Sequence, residues 1–74
     1  MSTISGLEWI GRFAGALGVN APDQATVDTL LNLAGVAAHG SERIAAPIAC
    51  YLAGLSGMDL GQALELAERL ELPG

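Results

Sequence analysis

The chain has 74 residues, three arginines, no lysine and eight acids, for a formal charge of −5, and 51% of it is hydrophobic. That length allows one domain, read as 1–74, burying roughly 60% of the surface its unfolded form exposes. The missing cations exclude nucleic acid and anionic membrane surfaces as partners, since binding a polyanion draws on clustered positive charge.

Ser5 is placed to cap a first helix closing at Gly18, with Leu7, Ile10, Ala14 and Leu17 on one face. Trp9 and Phe13, spaced i, i+4, form a flanking apolar patch. A second helix is expected from Asp23 or Thr26 to Ala38, with Val27, Leu30, Leu31, Ala34 and Ala38 facing inward. His39-Gly40-Ser41 ends it, Gly40 taking the left-handed position.

Pro47 suits the first turn of a third helix over about Ala46–Ser56, where its missing amide would have no partner anyway. Ile48, Tyr51, Leu52 and Leu55 make one bulky face; Ala46, Ala49, Cys50 and Ala53 make an opposite, all-small face. No charge occurs from Ile44 to Met58, so this helix is read as the buried central element. Those 15 residues are too few to span a membrane. Asp59 with Gln62 three residues later opens a fourth helix in a capping-box-like pattern, carrying Leu60, Ala63, Leu64, Ala67 and Leu70 inward and ending at Pro73. The expected fold is all-α: a compact bundle of about four short helices around the third.

Cys50 is the lone cysteine, which rules out an internal disulfide; with no export signal over Met1–Gly6, it points to a reducing, cytoplasmic setting. One His and one Cys among scattered carboxylates do not make a metal site, and no cofactor is implied. A catalytic Cys50–His39 pair is disfavoured, because Cys50 lies mid-helix, away from any helix N-terminus that would lower its pKa. An acyl-carrier role fails as well: Ser41 lacks the preceding Asp and following Leu of that motif.

Two uses remain for the His39–Arg43 loop. Arg43 could satisfy the terminal carbonyls of the second helix; alternatively His39, Ser41 and Arg43, with free amides opening the third helix, could bind a small anion or carboxylate. The apolar excess of so small a chain implies that some large side chains stay outside, Trp9, Phe13, Val36 and Leu66 being the expected interface. A homodimer would cover them. The competing expectation is a rotated first helix with Trp9 in the core.

The run from Leu31 to Leu55, NLAGVAAHGSERIAAPIACYLAG at its centre, resembles a small bacterial family of uncharacterised helical domains, found alone or fused behind a molybdenum-cofactor guanylyltransferase domain. The family pattern is a helix ending in Ala-His, a short loop, Arg-Pro-Ala-Ala-Pro, and an apolar helix ending in Leu-Ala-Gly; Glu8-Trp9 fits too. Ile44 stands here where the first proline is common. The resemblance implies an accessory role near molybdenum-cofactor metabolism, names no reaction, and carries His39, Arg43 and Pro47 as matching positions. The function expected is a non-enzymatic interaction or accessory module, bound to itself or to another protein; the alternative is a small-ligand site at His39 and Arg43.

Overall fold

The computed structural model describes residues 3–70. These form four helices and, among the described residues, no strand: α1 Gly6–Leu17, α2 Gln24–Gly40, α3 Ala45–Ser56 and α4 Leu60–Leu70. The all-α bundle matches the expectation. The proposed stop at Pro73 lies outside the described residues.

Each helix start has a local cause. The Ser5 hydroxyl accepts from the Glu8 amide at 3.1 Å, the Asp23 carboxylate from Thr26 at 2.8 Å, and the Asp59 carboxylate from Gln62 at 3.2 Å. Each bond satisfies one of the amides that a first turn leaves without a carbonyl. α1 ends at Gly18, φ 80°, where Gly18 N–H donates to Gly15 and Val19 N–H to Ala14. That pair of bonds consumes two terminal carbonyls and needs a left-handed residue, which glycine supplies without strain. Gly57, φ 70°, ends α3 in the same region.

The end of α2 differs from expectation. Gly40 stays helical, and the cap is Ser41, whose hydroxyl donates to the Ala37 carbonyl at 2.7 Å. With that carbonyl satisfied by a side chain, no left-handed residue is required.

α2 is the centre of the bundle, packing on α3 along one side and on α4 along the other; α3 and α4 touch only briefly. Its inward arc is consequently wide, running half-buried or buried from Leu33 to Ala38, and it centres on Leu33 rather than on Leu31, which faces solvent. α4 sets Leu60, Ala63, Leu64 and Ala67 against the bundle as expected, but leaves Leu70 exposed.

α3 is not the buried central element. Its small face does meet α2 closely: Ala53 is buried, Ala46, Ala49 and Cys50 are half-buried, and the Cys50 thiol lies 3.7 Å from the Leu30 carbonyl. The bulky face looks outward. A single helix cannot be covered on both sides unless a further element crosses it, and α1, the remaining helix among the described residues, has no Cα within 8 Å of any other helix. The described fold is therefore a three-helix bundle with α1 extending from it, 46 Å in its longest dimension.

Candidate interaction surface

Two apolar faces lie on the outside, and each follows from helical periodicity. On α1, Trp9, Phe13, Leu17, Ile10 and Leu7 fall within one half of the helix circumference at 100° per residue, while Glu8, Arg12, Gly11 and Gly15 occupy the other. All five are exposed, Trp9 at 55% and Phe13 at 50%; Ala14 alone of α1 is buried. The rings of Trp9 and Phe13 sit 5.2 Å apart between centroids, tilted by 32°, an offset contact typical of aromatic pairs. Trp9 is outside the core, against the expectation of a rotated helix.

The α3 face consists of Ile48, Tyr51, Leu52 and Leu55, exposed at 55–69%, with Ile44 beside it in the preceding turn. Of the expected interface residues absent from these two faces, Leu66 is exposed on α4, whereas Val36 is half-buried where α2 meets α4. Val36 is thus corrected from a surface to a packing position, because α2 is covered on two sides rather than one.

Sequence reasoning misses the α3 face as a surface because an uncharged helix reads as buried. Helix count does not reveal it, since α1 laid across α3 would cover the bulky face; the position of α1, away from the other helices, decides it.

The His39–Arg43 loop does not assemble a shared site. His39 lies at the exposed end of α2, over a depression shared with Leu64 and Glu68; Ser41 lines another, of about 620 Å³, with Glu42, Ile44, Ala45 and Ile48. Arg43 borders neither and is exposed, and Ser41 takes the Ala37 carbonyl, one of those expected to fall to Arg43. The amides that open α3 are not free for an anion either: Ala45 N–H donates to Glu42 at 3.0 Å and Ala46 N–H to Arg43 at 3.2 Å, both through backbone carbonyls. Glu42 at the mouth adds negative charge.

Among the described residues two ionisable groups are shifted from their ordinary values, each for a structural reason. The amide and hydroxyl of Thr26, bonding to Asp23, hold that carboxyl below the usual range. Burial pushes the Cys50 thiol up, away from the thiolate a nucleophile needs. Among the described residues no group of three or more His, Cys, Asp or Glu could hold a metal ion, and no helix is long and apolar enough to cross a membrane.

Residues 4–72 match a family described as a domain of unknown function, DUF6457. The chain belongs to this family. The match spans all four helices, so the outward faces of α1 and α3 lie within the family domain rather than in an appendage to it. No curated protein and no solved structure matches the chain.

Proposed function

We propose that this domain is a non-enzymatic helical module whose task is protein association, acting through α1 and the outer face of α3. The observation that carries the reading is the placement of large apolar side chains: fifteen are exposed among the described residues, nine of them on α1 and α3. Scattered exposed leucines are ordinary, but apolar side chains gathered on one face of a helix mark binding surfaces. The raised Cys50 pKa and the already bonded amides at the start of α3 argue against nucleophilic chemistry and against the anion-site alternative.

The reading includes a cytoplasmic protein partner or a second copy, and no nucleic acid. By the resemblance alone, an enzyme of molybdenum-cofactor metabolism is the first foreign partner to test. Affinity capture from the native host, comparing the unaltered chain with a Trp9→Ala, Phe13→Ala variant and a Tyr51→Glu, Leu55→Glu variant, tests the module reading. Loss of specific capture in both variants, with helicity retained, is expected. Identical capture by all three chains would refute it.

A further inference from the structure

We infer that the occupant of the α3 outer face is α1 of a second copy of this chain, in a twofold dimer where each protomer's α1 lies across its partner's α3. The inference rests on the association-module reading and names its partner.

The first ground is surface area. A folded monomer of 7.5 kDa exposes about 4,200 Å² by the usual scaling of surface with mass, and this chain exposes 5727 Å². Setting aside the most that the six residues outside 3–70 could contribute, about 900 Å², roughly 600 Å² of excess remains for residues 3–70. A standard interface takes about 800 Å² from each partner, and obligate dimers take more. The excess is about three quarters of what one partner of a standard interface covers.

The second ground is complementarity within one sequence. Among the described residues, α1 is an amphipathic helix with nothing to lie on, and α3 is an apolar face with nothing lying on it. Both have 12 residues, about 18 Å of helix. A foreign protein would have to bring both a groove for α1 and a helix for α3. A second copy brings both at once, and twofold symmetry makes each contact occur twice.

The third ground is charge. Two copies of a −5 chain repel each other wherever their acids meet, yet α3 carries no charge and α1 carries only Glu8 and Arg12, which cancel. The net negative charge resides on the rest of the chain. The surfaces brought together are the ones on which two acidic molecules can approach without penalty.

Sedimentation equilibrium of the full chain across a dilution series, read together with Trp9 emission, tests the arrangement. The expected result is a mass of twice 7.5 kDa, with Trp9 emission blue-shifted in the dimer and moving to the red as dilution dissociates it. Leu55→Glu lies on a side chain already exposed in the protomer, so it should keep its far-UV helicity while giving monomer and red-shifted Trp9, although Trp9 is on another helix. Trp9→Ala with Phe13→Ala should give monomer from the opposite surface, which keeps the test valid if one variant misfolds. A monomer whose Trp9 is blue-shifted at every dilution and moves to the red only in Leu55→Glu would place α1 on its own α3 and overturn the dimer. A dimer whose Trp9 ignores Leu55→Glu would overturn the exchange of α1. A monomer with red-shifted Trp9 would overturn the second copy as occupant while leaving the module reading to the capture experiment, where loss of binding in both variants would then point to a foreign partner.

Discussion

Leu33→Ala removes the one large side chain that, among the described residues, the bundle buries almost completely. Leu33 is 4% exposed and sits where α2 meets α3 and α4, beside Ala49, Ala53 and Ala67. Loss of its transfer free energy alone is worth about 1.5–3 kcal/mol for a fully buried leucine. An enclosed cavity would raise the total toward about 5 kcal/mol. Here the neighbouring clefts already open to solvent, so water can enter the space vacated and the cavity contribution is small. The expected cost is therefore about 2–3 kcal/mol. A single core of this size rarely yields more than about 3–5 kcal/mol, which leaves the variant with little stability of its own. Urea unfolding followed by far-UV circular dichroism, at fixed protein concentration, should show a large drop in midpoint with little change in slope. Leu31→Ala, two residues away on the same helix but 64% exposed, is the control and should stay within about 0.5 kcal/mol of the unaltered chain. Equal costs for the two substitutions would refute the placement of α2, because they would mean that Leu31 and Leu33 share one environment.

Ala53→Leu, on the face of α3 that meets α2, should cost about 1–3 kcal/mol by overpacking, and an unchanged thermal midpoint would show that this face is not closely approached. Arg43→Ala should change stability by no more than about 0.5 kcal/mol, whereas Ser41→Ala should cost about 0.5–1.5 kcal/mol by freeing the Ala37 carbonyl; chemical denaturation of the two variants side by side separates them. The Asp23 carboxyl is held below its ordinary value in the fold, so its stabilising effect is complete above the unfolded pKa and is lost as pH falls through the lower folded one. An acid titration of helicity should accordingly lose part of its acid limb in Asp23→Ala, and superimposable curves would contradict the cap. The raised thiol pKa of Cys50 predicts slow reaction with a thiol-specific reagent in mildly alkaline buffer and a marked acceleration in denaturant; equal rates would place the thiol in water.

How the sequence relates to the fold differs between the helix ends and the helix faces. Ser5, Asp23, Asp59 and Gly18 each mark a boundary that appears within a residue or two of where the pattern places it. Those features are local: a capping oxygen needs an amide three residues away, and a left-handed glycine needs carbonyls of the same helix, so nothing distant can alter them. The exception, Gly40, proves to be local too, since Ser41 next to it competes for the same carbonyl.

Which side of each helix is covered depended on the tertiary structure. The periodicity of α3 separates Tyr51 and Leu55 from Ala49 and Ala53, and the two faces are real, but both are apolar, and hydrophobic attraction carries no direction that would tell one from the other. The small face turned inward because residues without long side chains let the α2 backbone approach, as the Cys50 to Leu30 contact shows. The same geometry turned Leu33 inward and Leu31 outward, since α2 had to serve two neighbours at once. Likewise, the Arg43 side chain had the right charge and spacing for the end of α2, but Ser41 reached the Ala37 carbonyl by a shorter path. Capping and periodicity are properties of a dozen consecutive residues and are written there; coverage is a property of what else is within reach, and α1, carried away on the Val19–Asp23 connection, left the outer face of α3 without cover.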